Sequence, residues 1–457
     1  MTGCGQTTTS GGGGMTRKMV MIGGLMAALL LAAACERKDP ILPGSREEIR
    51  EESDALGLIG AGSETVNRSE PISLPAATVN ANWTQRSGTP ETRIAHPALA
   101  QAPQRIWSAS IGAGDGKKSR ITADPVVSGG RVFTMDAGAT VTAVSTEGKV
   151  LWSQNLVPLN DSPNDASGGG MAFGDGKLFV ASGFGRLSAL DPASGTLLWT
   201  QELKGTGSGN PTYADGLVYL VAGDDEAWVL DSDTGRVKWR LGAAPDVNNV
   251  LGGPAPALSD KYAVFAFGAG ELQGALRKGG LRLWDAQVAG RRAGLSQSLV
   301  ADVTGDPLIV GDKVYVGTHA GRLVALKLGS GKRIWTAGEG PLSPIWPAGN
   351  SLFLVSDKNE LLRLNAEDGS RIWGQKLPFF TSERPRRKAE IYAHYGPVLA
   401  GGQLVVASND GNIRFFDPAS GALRRTIEVP GGATTNPVIA GRTLYVVSTK
   451  GQLHAFR

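Results

Sequence analysis

At 457 residues the chain has room for two or three ordinary domains, and with 41% hydrophobic and 19% charged residues it can bury a substantial core, which excludes a disordered chain. Its 64 glycines and 25 prolines point to many turns and an all-β composition, and a formal net charge of +4, half of it from Arg17 and Lys18, gives no footing for nucleic acid as a partner. The two cysteines, Cys4 and Cys35, stand ahead of any segment that folds, so the folded part has neither a disulfide nor a thiolate metal site.

Residues 1–14 are low in complexity, and Met15 is the better start, because Thr16, Arg17 and Lys18 then precede an apolar run from Met19 to Ala34. That run has the length of a signal-peptide core and is short for a membrane span, so residues 1–34 read as a signal peptide. It ends in Leu31, Ala32, Ala33, Ala34 and Cys35, which resembles a bacterial lipobox, although Ala32 stands where Leu is commonest. Cys35 is therefore expected to carry acyl chains such as palmitate and to become the mature N-terminus. Glu36, in place of Asp, points to the outer membrane. Acyl chains contribute roughly 0.8 kcal/mol per buried methylene, enough to hold a soluble domain at a bilayer without a spanning helix. Residues 35–80 are polar and interrupted by Pro40, Pro43, Pro71 and Pro75, and read as the lipidated N-terminus and a flexible tether.

From residue 81 to residue 457 one unit repeats. Each copy opens near a proline followed by apolar residues (Pro125, Pro211, Pro254, Pro307, Pro344, Pro397, Pro437, with Gly170 in this place in the second unit). A tight turn such as Asp175-Gly176 or Gly401-Gly402 follows, then an apolar strand, a second glycine-containing turn and a third strand. A turn of the Asp191-Pro-Ala-Ser-Gly195 type leads into a fourth strand that carries a tryptophan. A sheet of four short strands cannot bury both faces alone, and radial stacking around an axis solves this, so the expected fold is an all-β, eight-bladed β-propeller of four-stranded antiparallel blades. The eighth unit lacks its fourth strand. Arg105-Ile-Trp107 matches that strand and stands before the first full unit, so it is expected to complete the C-terminal blade and close the ring.

The pattern Ala189-Leu-Asp191-Pro-Ala-Ser-Gly195-Thr-Leu-Leu-Trp199 resembles the tryptophan-docking repeat of the quinoprotein (PQQ-like) propeller superfamily. The resemblance implies that Trp107, Trp152, Trp199, Trp239, Trp284, Trp335 and Trp373 wedge between blades, and that Arg425, standing where an eighth would be, makes a weaker dock. Within that superfamily, the lipobox, the proline-bearing tether, the Trp83 segment and the eight repeats resemble, in the same order, the BamB family of lipoproteins of the outer-membrane β-barrel assembly machinery. What this implies is a non-enzymatic scaffold without a cofactor, lipid-anchored at the periplasmic face of the outer membrane. Such a scaffold binds the periplasmic POTRA domains of BamA and other subunits, and assists insertion of unfolded β-barrel clients. Two other readings stay open: a periplasmic PQQ-dependent-dehydrogenase-like enzyme, and a propeller that binds peptidoglycan or another envelope component. Against the enzyme, the folded region has no adjacent cysteine pair and no long catalytic insertion.

A chemical site is hard to assemble from these residues. His96, His319, His394 and His454 have no ligand spacing, the glycine runs lack the Lys-Ser/Thr of a phosphate loop, and Asp191, Asp231 and Asp417 serve their turns. Loop length says more. From tryptophan to next blade-opening proline the spacing is 9 residues at Trp335 and 12 at Trp199, but 15, 23 and 24 at Trp239, Trp284 and Trp373. These enlarged loops mark one face as the working surface. By the family resemblance, the partner contacts fall on Asn248, Asn249, Val250 and Leu251 and on Asp302 and Asp306, with Thr304 where the family has a second carboxylate and no Arg in the first loop. The third loop, Phe379 to Lys388, joins two aromatics to four basic residues and suits anionic headgroups or an acidic client.

Cys35→Ala is expected to release the protein from the membrane fraction into the soluble periplasm and to abolish metabolic labelling with palmitate.

Overall fold

Lys177–Ser182 and Arg186–Leu190 are nearly continuous apolar runs whose residues are buried on both faces, whereas Leu197–Glu202, the strand that follows, alternates exposed and half-buried positions. A sheet covered on both sides demands the first pattern, and a sheet at the rim of a larger body demands the second. In the computed structural model, which describes residues 67–206, 209–223, 225–244, 252–288, 290, 302–342, 344–384, 388 and 390–457, this gradient repeats in eight four-stranded antiparallel sheets arranged as a ring. The expected signal peptide, Cys35 and the tether up to residue 66 lie outside the described residues.

Blade 1 spans 126–155, blade 2 169–202, blade 3 212–242, blade 4 257–287, blade 5 308–337, blade 6 346–376 and blade 7 394–428. Blade 8 takes three strands from 438–456 and its fourth from Arg105–Ser110, which pairs antiparallel with Gln452–Phe456. This is the expected closure. The core is distributed as a series of apolar clusters, most of them shared by two neighbouring blades, such as Phe133, Val141, Met171 and Val180 between blades 1 and 2.

The turns follow from their residues. Gly174 faces Lys177, leaving Asp175 and Gly176 as a two-residue loop with φ of +51° and +66°, the pair of positive angles that a type I′ hairpin requires. Asp191 accepts the backbone N–H groups of Ala193 and Ser194 at 2.9 and 2.8 Å and so shapes its turn; Asp231 and Asp417 do the same in theirs. After that turn the ladder slips: Ala189 faces Trp199 while Leu190 faces Leu197, and the same irregularity recurs in all eight blades. A bulge re-aims the next side chain. Here it turns the tryptophan toward the following blade.

All seven tryptophans dock in one way. A Cβ placed on Gly195 would lie 2.5 Å from the ring of Trp152, so the indole lies against the bare α-carbon of the next blade's turn; Trp107 meets Gly148 likewise, and Trp199, Trp239, Trp284, Trp335 and Trp373 meet Gly235, Gly280, Gly331, Gly369 and Gly421. Six of the indoles also donate a hydrogen bond to a turn carbonyl, as Trp152 does to Pro192 at 3.1 Å and Trp284 to Leu328 at 2.8 Å. Arg425 is explained by the closure and is not a weakened dock. The third and fourth strands of blade 8 come from opposite parts of the sequence, joined by the reciprocal backbone bonds of Gln104 and Arg457 at 2.8 and 2.9 Å, so no Asp-x-x-x-Gly turn connects them to receive an indole.

The stretch from residue 67 to residue 80, expected to belong to a flexible tether, is instead bound to the ring. Asn67 exchanges side-chain hydrogen bonds with Gly374 at 2.9 Å, Arg68 N–H bonds Ile372 O, and Arg363 donates to the carbonyls of Glu70 and Pro71. Residues 78–101 then form a strap that meets the inner strand, or a residue flanking it, in every blade. Trp83 exchanges both backbone bonds with Val127 of blade 1, and Thr84 O accepts from Phe173 of blade 2. Gln85 Oε1 accepts from Tyr213 N of blade 3, while the carbonyls of Pro90, Glu91 and Pro97 accept from Leu258, Ile309 and Gly401 of blades 4, 5 and 7. Arg93 donates to Ile345 O beside blade 6, and Asn80 bonds Ile439 of blade 8. The inner strands are sheet edges with unpaired backbone groups, and the strap supplies their partners. Trp83 and Trp346, both fully buried, stack with centroids 6.1 Å apart.

Trp284→Ala is expected to cost about 3–5 kcal/mol, as for other truncations of a buried aromatic, whereas Arg425→Trp, with no turn to dock on, should shift stability by less than about 0.5 kcal/mol; urea-unfolding midpoints distinguish the two.

Candidate functional site

Connections from a fourth strand to the next blade, and those from a second to a third strand, emerge on one face of such a ring. On this face a shallow open cleft, with a volume of only about 40 Å³, lies among blades 3, 4 and 5, lined by Val221, Asp225, Pro254, Phe267, Asp302 and Val303. Asp225 holds a positive φ of +57° at the tip of blade 3's second turn, and its Oδ1 accepts the N–H of Gly268 in blade 4 at 2.7 Å. Val303 forms a bridge with Thr318, and Thr304 Oγ donates to Pro341 O at 2.8 Å. The 302–306 stretch is thus tied down on both sides.

The two aspartates named from the sequence take different places. Asp302 lies in the cleft and is 5% exposed. Asp306 is fully enclosed and cannot present its carboxylate to a partner: Oδ1 accepts from Ala255 N at 3.0 Å, while Oδ2 lies 3.1 Å from Arg86 Nε and 3.3 Å from Arg93 Nη2. Its position just before a blade-opening proline turns it inward to the axis, where the strap supplies the counter-charges. Asn248, Asn249, Val250 and Leu251 lie outside the described residues, immediately before the Gly252–Pro254 stretch that reaches the cleft.

Arg86, Arg93 and Asp124 were not singled out by the sequence. Asp124 also precedes a blade-opening proline; it accepts from Asn436 N and Nδ2 at 2.8 Å each and lies 3.9 Å from Arg86 Nε. The recurrence of Asp or Asn before these prolines (Asp124, Asn210, Asp306, Asn436) was the available signal for a polar inner ring. Burial by itself would push the Asp306 carboxyl up, but the guanidinium groups of Arg86 and Arg93, with the Ala255 N–H, outweigh it and hold the group below the ordinary carboxylate range.

The remaining candidates are used structurally. His96 places Nδ1 2.6 Å from Pro75 O and accepts the Gly402 N–H at Nε2, fastening the strap. His394 contacts Ser408 Oγ and Pro378 O, and His454 contacts Ser108 Oγ; burial lowers both imidazoles. In the third long loop Phe379 and Phe380 pack edge to face, and Lys388 lies over Phe380 and pairs with Glu383. Residues 385–387 lie outside the described residues. Among the described residues no three His, Cys, Asp or Glu side chains gather as a metal site would need, and no helix is long and apolar enough to cross a membrane.

The family model for outer membrane protein assembly factor BamB matches residues 137–375 and 381–457, most of the ring. The chain belongs to the BamB family. Among curated relatives, the outer membrane protein assembly factor BamB of Shewanella oneidensis is 27% identical over 363 residues, which is 77% of this chain and 88% of that protein. That of Escherichia coli K12 is 25% identical over 359 residues, again 77% and 88%. Among solved structures, BamB from Moraxella catarrhalis superposes with a TM-score of 0.62 at 15% identity, covering 78% of this chain and all of that one. Quinohemoprotein alcohol dehydrogenase from Comamonas testosteroni gives 0.60 at 14% identity, covering 83% of this chain and 81% of its own. Fold likeness therefore extends beyond the BamB family, whereas the match of the family model does not depend on shape.

The pKa of Asp306 is lowered in the folded protein. The unfolded chain binds its proton more readily than the folded one, so its contribution to stability is complete above the ordinary carboxylate value of about 4 and is lost as pH falls below it. The unfolding free energy should therefore fall with acidification in this range, with a shallower slope for Asp306→Asn, as pH-dependent urea denaturation would read.

Proposed function

We propose that this protein is a lipid-anchored scaffold of the outer-membrane β-barrel assembly machinery, working at the periplasmic face of the outer membrane. It binds the POTRA domains of BamA through the loop face of the ring and assists insertion of β-barrel clients without catalysing a reaction. The observation that carries this reading is the BamB family-model match over most of the propeller. The cleft supports it, because it is an indented part of the face with the enlarged loops.

The fold likeness to quinohemoprotein alcohol dehydrogenase favours a second reading, a PQQ-dependent enzyme. A flat cofactor needs an enclosed slot. The space beside the axis is filled by the chain's own Trp83 and Arg93, both buried, and by Arg86, whose side chain is 13% exposed, so a quinone there would have to displace the strap. Titration with PQQ and Ca²⁺, followed by absorbance and melting, separates the readings; saturable binding with dye-linked alcohol oxidation would favour the enzyme.

Affinity purification from detergent-solubilised membranes through a C-terminal tag is expected to recover BamA, and its absence under mild conditions would count against the scaffold. Asp302→Asn, which keeps the shape and removes the charge, should weaken binding of the purified POTRA domains about tenfold with an unchanged melting curve, a loss in the range typical of a charged interface contact.

A further inference from the structure

We infer that Arg86 and Arg93 are positioning residues, which set the two loop segments 252–256 and 302–307 from inside the ring and so hold the docking surface in shape. This rests on the reading of the loop face as that surface. Asp306 is the joint. Its Oδ1 receives the Ala255 N–H at 3.0 Å, which fastens the lead-in of blade 4 to the lead-in of blade 5. Its Oδ2 takes both guanidinium groups of the strap, Arg86 at 3.1 Å and Arg93 at 3.3 Å. Arg93 continues to Ile345 O, the lead-in of blade 6, at 3.1 Å. Arg86 approaches Asp124 in the lead-in of blade 1, and Asp124 holds Asn436 of blade 8. The lead-ins of five blades thus converge on two side chains of the strap.

The position of these bonds gives them leverage. Each lead-in is the foot of a loop that arrives from the preceding blade's outer strand, and the feet of the loops after Trp239 and Trp284 are the ones that Asp306 ties together. Asp302, in the cleft, stands four residues before that joint. Away from water, charge-assisted bonds are strong and directional, so they narrow the range of positions open to segments 252–256 and 302–307. The strap lies outside the stretch matched by the family model, which begins at residue 137. The cationic half of the joint therefore comes from a part of the chain that the repeat does not encode.

The test uses the full-length lipidated protein in detergent, as Arg93→Gln and Arg93→Lys, with two readouts: amide hydrogen exchange, and binding of the purified POTRA domains of BamA. In Arg93→Gln, exchange at Ala255 and across 302–306 should rise about tenfold relative to the second strands of the same blades, and POTRA binding should weaken as the fraction of molecules that hold the competent loop geometry falls. Arg93→Lys, which restores the charge, should recover part of both. Unchanged exchange at Ala255 and 302–306 overturns the inference, and so does faster exchange with undiminished binding. The exchange readout needs no partner, so failure of the wild-type protein to bind would remove the docking reading alone, with exchange still deciding the positioning. Should Arg93→Gln not fold, Arg86→Gln, which leaves the Arg93 bonds to Asp306 and Ile345 in place, carries the same two readouts.

Discussion

The contact between a tryptophan on the outer strand of one blade and a turn glycine in the next is the constraint from which the rest of the ring follows. Four short strands bury too little to stand alone, so each blade is stable only against its neighbours, and an indole crosses seven of the eight boundaries. Its geometry rests on a glycine with no side chain to obstruct the ring and a bulge to aim the tryptophan, and in four of the seven turns (Asp191, Asp231, Asn365 and Asp417) an Asp or Asn opens the corner. Leu190 to Trp199 contains all of them, and the other blades repeat the scheme with local substitutions. The exception at Arg425 obeys the same rule, because the fourth strand of blade 8 is brought from residues 105–110 and leaves no turn to dock against.

A ring closed in this way has two further sets of edges. The outer strands face solvent and alternate accordingly, while the inner strands face the axis with unpaired backbone groups. In this protein the chain answers the second problem itself, laying residues 78–101 across the inner strands of all eight blades and neutralising the carboxylates that precede the prolines. The axis is therefore a filled, charged and hydrogen-bonded part of the structure.

The repeat was legible because its signals are local and recur: the two-residue turns, the Asp-x-x-x-Gly corners, the tryptophans and the strand that closes the ring are each encoded within about ten residues of sequence and were read from it. The strap was not, since it has no period and bonds mainly through backbone atoms to distant parts of the chain, as Asn80 O does in accepting from Gly441 N–H. For the same reason Asp306 was placed correctly in its loop and wrongly at the surface: its carboxylate is buried by Arg86 and Arg93, more than two hundred positions upstream, and nothing in the local sequence announces them. Asp302 shares the loop but not the burial partners named for Asp306, and it remains in the cleft. The candidate surface was thus legible as a set of loops, while the device beneath it was not.

The lateral entry of the N-terminal arm has a mechanical consequence. Asn67 and Arg68 bond to the outer strand of blade 6, Arg363 grips the carbonyls of Glu70 and Pro71, and only after these does the chain turn inward to the axis. Tension applied from the N-terminal side meets those bonds one after another at the rim before it reaches Trp83 or the arginines. The fastening works as a graded strain relief, in which the peripheral bonds absorb small tugs and the centre of the ring feels only a pull large enough to strip them all.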